Sequence, residues 1–276
     1  MMYSEQIKAK AIALGFDLAG ITTAAPIEDV QKQYFQDWLK RGYAAGMGYL
    51  HNHTEKRFDP SKLLDGARSV ICVGLNYKPA HQHPDNQHHV AHYALYEDYH
   101  PFIKSRLHAL ADFIVKIAAP AAIRFKACVD SAPLAERALA QRAGLGFIGK
   151  NHCLTHPTLG AQLLLGELIT TLELPADEPM AMTHCQGCQR YVRACPTGAL
   201  DGAGGLDCRK CISYWTIEEK GDIPGTIKPK TEGLFGCDAC LLACPYQAAG
   251  PGCANRDFQF FPERTVEEAR AIRNRK

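Results

Sequence analysis

Nine of the twelve cysteines lie between Cys185 and Cys253, and their spacing is typical of iron-sulfur ligands. Two runs each end in Cys-Pro, as in two-cluster ferredoxins, where the last cysteine of each run binds the other cluster. Thiolates on a tight C-x2-C turn reach adjacent irons, and a distant fourth cysteine ties two such turns together. The runs are Cys185-x2-Cys188-x2-Tyr191-x3-Cys195-Pro196 and Cys237-x2-Cys240-x3-Cys244-Pro245, with Cys211 upstream of the second.

Crossing the ligands in this way predicts two sites of unequal composition. The complete site takes Cys195, Cys211, Cys237 and Cys240. The other site takes Cys185, Cys188, Cys244 and the residue at position 191, which is tyrosine.

Three interpretations of Tyr191 are open. The cluster is missing or reduced to three irons, the corner stays open, or the corner is filled by the phenolate or by another thiol such as Cys208 or Cys253. Tyrosine ligates iron in catalase, but it would be unusual at the corner of a cubane cluster. We therefore expect a damaged or three-cysteine cluster at this site.

Zinc is the main alternative metal, because zinc sites with four cysteine ligands also use C-x2-C pairs. Zinc motifs do not need the two Cys-Pro endings, so the pattern favours iron-sulfur clusters. The histidine-rich stretch 81–92 resembles a metal tract, but we expect a polar surface loop there.

Composition narrows the class of protein. With 31 Lys and Arg against 29 Asp and Glu, the net charge of +2 is too balanced to predict a nucleic-acid partner. No apolar run approaches the roughly 20 residues of a membrane span, and the N-terminus has the pattern of an amphipathic helix rather than a signal peptide. We expect a cytoplasmic protein in which the cysteines serve metal or redox chemistry.

The elements that would position these residues alternate along the first 145 residues. Residue spacing predicts helices at 5–14, 27–41, 100–118 and 132–144. Apolar and β-branched runs predict strands at 17–24, 69–77 and 122–130. The glycine-rich stretch 144–151 is a candidate ligand-facing turn, and a hairpin around 157–160 would end the first domain near Leu174.

Asp130 follows the predicted strand 122–130 and faces the glycine-rich loop. Burial there would raise the pKa of its carboxyl until it holds a proton at neutral pH. A helix N-cap or a satisfied core acid is the alternative.

Several strings together resemble the epoxyqueuosine reductase (QueG) family. They occur in the family's order and span most of the chain. The strings are EKRFDP, HYALYEDYH, VDSAPLAERALAQRAGLGFIGKN (129–151), ACPTGAL, CISYWTIE and CDACLLACPYQ.

The resemblance implies a cobalamin-binding domain related to reductive dehalogenases and a ferredoxin-like domain with two 4Fe-4S clusters. The implied reaction reduces epoxyqueuosine to queuosine at the wobble base of tRNA, with an external low-potential electron donor. Asp130 would be the proton donor. Cofactor contacts carried over from the family are Arg57, Tyr93, Asp130, Asn151, Ser213, Cys237 and Asp238.

We therefore expect an α+β fold, α/β-like in its cobalamin-binding domain (1–174), then a ferredoxin-like domain (175–254) and a solvated tail (255–276). Many relatives continue into helical repeats that help hold tRNA, so the chain is expected to be a short, monomeric form. The complete cluster should be nearer cobalt, with the Tyr191 site as the outer relay. Two alternatives are a cobalamin-dependent reductase of a small molecule and a non-catalytic cobalamin or electron carrier.

Overall fold

The structure is a computed structural model that describes residues 2–80, 89–180, 185 and 187–273. Most of the histidine-rich stretch 81–92 lies outside these residues. The helices are α1 Met2–Ala13, α2 Asp29–Lys40, α3 Thr54–Phe58, α4 Tyr99–Ile117, α5 Glu136–Arg142, α6 Arg190–Ala194, α7 Ala239–Leu242, α8 Pro245–Ala249 and α9 Val266–Arg273. The strands are β1 Leu18–Thr23, β2 Ser69–Asn76, β3 Phe125–Cys128, β4 Phe147–Ile148, β5 Leu154–Thr155 and β6 Leu163–Thr170.

A four-stranded sheet in the order β1-β2-β6-β3 forms the centre of the first domain, and every neighbouring pair is antiparallel. β2 is buried along its whole length, as its apolar run predicts. Successive side chains of a strand point to opposite faces. Ile71 and Val73 therefore join one core cluster, while Val70 and Cys72 join another.

Helices cover both faces of this sheet. α1 and α4 pack together on one face, and the buried residues of α4 recur every three or four positions, as an amphipathic helix requires. α5 covers the other face with Leu139 and Ala140. Among the described residues, no helix has both the length and the hydropathy to span a bilayer.

The predicted alternation of helices and strands is confirmed, but one pairing differs from the prediction. The predicted turn at 157–160 closes through an antiparallel bridge between His156 and Gly160, but β5 itself pairs with β4 and not with β6. Gly144 and Gly146 adopt positive φ, and these turns bring Phe147 and Ile148 back alongside β5. The stretch 144–151, which we expected to be a ligand-facing turn, therefore contains the two-residue strand β4.

The tail is not simply a solvated end. Phe258 is buried and its ring stacks on that of Tyr96 with centroids 4.6 Å apart. Ala269 of α9 is buried in a small cluster with Leu95 and Phe235. The expectation of a solvated tail is wrong because its apolar residues pack on the first domain.

Replacing Phe258 with alanine tests this packing. Loss of a buried aromatic side chain should lower the free energy of unfolding by about 3–5 kcal/mol, because a cavity is left behind. Phe261→Ala is the matched control, since the Phe261 side chain is 40% exposed. Thermal denaturation should show a clear drop for Phe258→Ala and little change for Phe261→Ala. Equal melting temperatures for Phe258→Ala and the wild type would contradict the packing.

Candidate functional site

Two adjacent cavities are lined by seven of the nine cysteines of the second domain. The larger, of about 310 Å³, is lined by Cys195, Cys211, Cys237 and Cys240. The smaller, of about 250 Å³, is lined by Cys185, Cys188, Cys244 and Tyr191 and also touches Cys240. Folding thus brings together both sets that crossed ligation predicts, and it adds Cys153 of the first domain to the larger cavity.

Short helices and the turns at their ends position these thiols. Cys195 directly follows α6, and Cys244 is the N-cap of α8 with Pro245 in the first turn. The backbone N–H of Ala199 donates to the Cys195 sulfur at 3.3 Å. Burial alone would raise the Cys195 pKa, but hydrogen bonds from the backbone at 197–200 lower it overall. Such bonds stabilise a thiolate, the form that ligates iron.

The glycine-rich loop of the first domain reaches the smaller cavity. Gly149 and Asn151 line its wall, and the backbone N–H of Lys150 donates to the Cys185 sulfur at 3.3 Å. Asn151 also lines the larger cavity and donates through Nδ2 to the carbonyl oxygen of Cys240 at 3.3 Å. The expected ligand-facing turn therefore touches both cysteine sites.

Tyr191 lies in α6 with only 4% of its surface exposed. Its hydroxyl is buried and has no hydrogen-bond partner among the described residues. Burial, Asp201 and the neighbouring thiols raise the pKa of the phenol. Cys208 and Cys253 do not line this cavity, so neither is placed to replace Tyr191. The orphaned hydroxyl beside three cysteines fits a cavity that is filled by a cluster.

The larger cavity also gathers most of the predicted cofactor contacts. Besides Cys237, the residues Tyr93, Asn151, Ser213 and Asp238 line it. The Asp238 side chain is 8% exposed, and one of its oxygens accepts the backbone N–H of His92 at 2.6 Å. Arg57 and Asp130 are not on the walls of either cavity.

Asp130 is not buried, which corrects our expectation about its carboxyl. Its side chain is 62% exposed, because the backbone turns at φ +55° just beyond β3. One carboxyl oxygen accepts a hydrogen bond from the Tyr99 hydroxyl at 3.1 Å and lies 3.1 Å from Nε2 of His100. The N-cap of α5 is Ala135, so Asp130 is not a helix cap either.

The buried carboxyls lie behind Asp130, at Glu136 and Glu167. Glu136 accepts the backbone N–H of Asp130 at 2.6 Å. Burial, together with the charge of Asp130, raises the pKa of Glu136 to about 7. Glu167 is fully buried in β6, opposite Cys72 on β2 and Cys128 on β3, and burial raises its pKa well above the usual range.

Arg57 stands on the same side of the molecule as these acids. Burial lowers its pKa, while Tyr49 and Glu136 act in the opposite direction. Its Nε is buried without a partner among the described residues, and its guanidinium lies 5.5 Å from the Phe35 ring centroid. The Tyr49 hydroxyl donates to Glu218 at 3.4 Å, and burial, with smaller contributions from Glu218 and Asp130, raises the pKa of Tyr49 to about 12.

Sequence reasoning missed a buried polar network that joins the two domains. The Gln162 amide is 2.8 Å from Nδ1 of His92, and its oxygen accepts Nε2 of Gln247 at 2.7 Å. The Gln247 oxygen in turn accepts the backbone N–H of Ala161 at 2.7 Å. The available signal in the sequence was a single glutamine in each of two largely apolar strings, YQAAG and GAQLLLG.

An α+β domain with a two-cluster cysteine module defines an iron-sulfur protein. The comparisons with known proteins agree. Residues 57–131 match the family model of epoxyqueuosine reductase QueG, DUF1730, and residues 184–247 match a 4Fe-4S double cluster binding domain.

Curated relatives cover nearly the whole chain. The epoxyqueuosine reductase of Leadbetterella byssophila is 40% identical over 247 residues, which is 89% of this chain and 80% of the relative. That of Pseudomonas aeruginosa is 37% identical over 273 residues, covering 96% and 74%. The chain belongs to the epoxyqueuosine reductase family.

Solved structures show the same fold. An epoxyqueuosine reductase in complex with an epoxyqueuosine-modified tRNA-Tyr stem loop matches with a TM-score of 0.85 and 31% identity, covering 95% of this chain and 70% of that one. The Bacillus subtilis enzyme, with its Asp catalytic loop swung out of the active site, matches with 0.80 and 29%, covering 96% and 68%. The reductive dehalogenase NpRdhA shares the fold alone, with 0.53 and 16%, covering 96% of this chain and 33% of that one.

These findings confirm the predicted family, the fold class and the iron-sulfur clusters, and they favour iron-sulfur clusters over the zinc alternative. The family and its fold support cobalamin as the second cofactor. The individual ligands and the domain boundaries at 174 and 254 stay predictions.

Tyr191→Cys tests the composition of the smaller site. After anaerobic reconstitution and mild oxidation, we expect about seven irons in the wild type and about eight in the variant, because a fourth thiolate retains the corner iron. EPR should show a three-iron signal only in the wild type. Tyr191→Phe is the control and should match the wild type. A loss of iron in Tyr191→Phe would instead mean that the phenol is a ligand.

Glu136→Gln tests the buried carboxyl. The unfolded chain releases this proton near its ordinary pKa of 4.5 and the folded chain near 7, so the free energy of unfolding falls as pH rises across that range. The variant lacks this fall and should gain stability relative to the wild type between about pH 5 and about pH 8. Urea unfolding at several pH values measures the difference. The exposed control Glu232→Gln should follow the wild type, and parallel curves for Glu136→Gln would contradict the assignment.

Proposed function

We propose that this protein is a cobalamin-dependent epoxyqueuosine reductase, which converts epoxyqueuosine in tRNA to queuosine. The observation that carries the proposal is the larger cavity. There the complete set of four cysteines shares a wall with the predicted corrin contacts Tyr93, Asn151, Ser213 and Asp238. An electron-transfer cluster bound by these cysteines would be adjacent to the place where a redox cofactor would bind.

Both cofactors fit residues of this chain. We assign one cluster to Cys195, Cys211, Cys237 and Cys240 and the other to Cys185, Cys188 and Cys244 beside Tyr191. Cobalamin would be held by Tyr93, Asn151, Ser213, Cys237 and Asp238, which line the larger cavity, together with Arg57 and Asp130, which do not. When bound, it supplies the low-potential reduction that opens the epoxide.

The chain itself contributes electron transfer and acid catalysis. The Tyr191 site would receive single electrons from an external low-potential donor and pass them to the complete cluster, since the two cavities share Cys240 and Asn151. Asp130 would protonate the epoxide oxygen, because its exposed carboxyl can reach a bound substrate.

The substrate would be tRNA, as in the relative solved with a modified stem loop. We propose that the protein acts in the cytoplasm as a monomer. One assay separates the alternatives. Reduction of a small molecule in place of tRNA would favour a small-molecule reductase, and binding of cobalamin without turnover would favour a non-catalytic carrier.

Asp130→Asn tests the acid. With epoxyqueuosine-containing tRNA and a low-potential reductant, queuosine formation should fall at least about 100-fold, because the amide cannot donate the proton. The visible spectrum of bound cobalamin should not change. Nucleoside analysis by mass spectrometry measures the product.

Asp112→Asn is the matched control. Asp112 is an exposed aspartate of α4, roughly 18 Å along the helix from His100. Its variant should keep wild-type turnover. Full activity in Asp130→Asn would overturn the assignment of the acid, while a wild type that forms no queuosine would overturn the function.

A further inference from the structure

Each turnover of the proposed reaction consumes more protons than the carboxyl of Asp130 can hold at one time. Reducing an epoxide to an alkene and water takes two electrons and two protons, and a single carboxyl supplies one proton at a time. Asp130 must therefore be recharged in every turnover. The exposed face of its carboxyl has to contact the substrate, so the recharging proton has to arrive from its other side.

His100 occupies that other side. Its Nε2 lies 3.1 Å from the Asp130 carboxyl, and its Nδ1 lies 2.7 Å from the Asp98 carboxyl. The three side chains form a row of carboxylate, imidazole and carboxyl. Histidine changes its charge near neutral pH, and a partner on one ring nitrogen determines what the other nitrogen can do.

Asp98 is well placed to fix this histidine. It is the N-cap of α4 and accepts the backbone N–H of His100 at 3.0 Å, while the same oxygen meets the ring nitrogen. The helix start thus holds both the backbone and the ring of His100. With Nδ1–H directed to Asp98, Nε2 is the nitrogen that exchanges a proton with Asp130.

Tyr99 contacts the same oxygen of Asp130 but cannot serve the same purpose. Burial and the charge of Asp130 raise the pKa of its phenol well above the usual range. The hydroxyl therefore stays protonated and only donates a hydrogen bond, which holds the carboxyl in place.

The His100 ring keeps contact with solvent. Its side chain is 23% exposed and that of Asp98 is 31% exposed, so water can reprotonate the imidazole while the substrate covers Asp130. Within the part of the chain that the structure describes, the charged groups that bear on this row include Asp98 and Asp130 on the ring itself, and Glu136 and Glu218 acting on Asp130.

We propose that His100, positioned by Asp98, returns a proton to Asp130 after each protonation of the substrate. The imidazolium gives its Nε2 proton to the Asp130 carboxylate and becomes neutral with Nδ1–H on Asp98. Solvent then restores the imidazolium. No electron moves in this step, and the reducing electrons come from the low-potential donor of the proposed function, on which this inference rests.

His100→Gln tests the relay because glutamine keeps a hydrogen bond to Asp130 but cannot carry a proton. We expect kcat for queuosine formation to fall on the order of 10–100-fold with KM for tRNA unchanged. The pH dependence of kcat should change, and added imidazole should restore much of the rate. Asp98→Asn should show a smaller loss in the same direction.

His108→Gln is the matched control, since His108 is an exposed histidine two turns further along α4. It should behave as the wild type. Unchanged kcat in His100→Gln across the pH range would overturn the relay. A loss that imidazole does not rescue, with raised KM, would also overturn it, because it would indicate a purely structural role.

A titration without turnover separates this proposal from the proposed function. In the cofactor-loaded protein with ¹⁵N-labelled histidine, the His100 titration midpoint should fall in Asp130→Asn, because a neighbouring carboxylate favours the imidazolium. The His108 midpoint should stay constant. An unchanged His100 midpoint would overturn the coupling whether or not the protein reduces epoxyqueuosine.

Discussion

The contact between Asn151 and Cys240 is the one on which the arrangement of both cavities depends. Asn151 belongs to the glycine-rich loop of the first domain and Cys240 to the second, yet both line both cavities. A cluster in either site therefore has walls from two domains. The buried glutamines Gln162 and Gln247 fix the same interface, because an unpaired amide there would cost free energy. Small shifts between the domains would disturb both sites together.

A second constraint is the turn at Asp130. A non-glycine residue at φ +55° carries strain, which persists only where surrounding contacts enforce it. Glu136 accepts the Asp130 backbone N–H, while Tyr99 and His100 hold its side chain. Strain, exposure and anchoring occur together at the residue that must meet a substrate. An exposed acid can be a proton donor when neighbouring side chains, and not burial, control its protonation.

Features that depend on nearby residues could be predicted from the sequence, whereas features that depend on contacts between distant segments could not. Cysteine spacing predicted the two sets of cysteines that line the two cavities, because tight turns impose their own geometry, and the apolar run at 69–77 predicted β2. The buried position of Glu167 could not be predicted, since it lies in an apolar strand whose two neighbours come from distant parts of the chain. The exposure of Asp130 and the packing of Phe258 on Tyr96 likewise depend on contacts between remote segments.

The two iron-sulfur sites differ in a way that suits their positions. The complete set of cysteines shares its cavity with the predicted corrin contacts, where the proposed function needs a stable cluster that transfers electrons repeatedly. The site with Tyr191 lies on the other side of Cys240 and Asn151. The three-iron cluster expected there is of a different type from a cubane with four thiolates, and cluster type is one of the factors that set the reduction potential. In the proposed function, Tyr191 in place of a thiolate would therefore alter the step by which electrons enter, while the proposed ligands next to the cofactor stay complete.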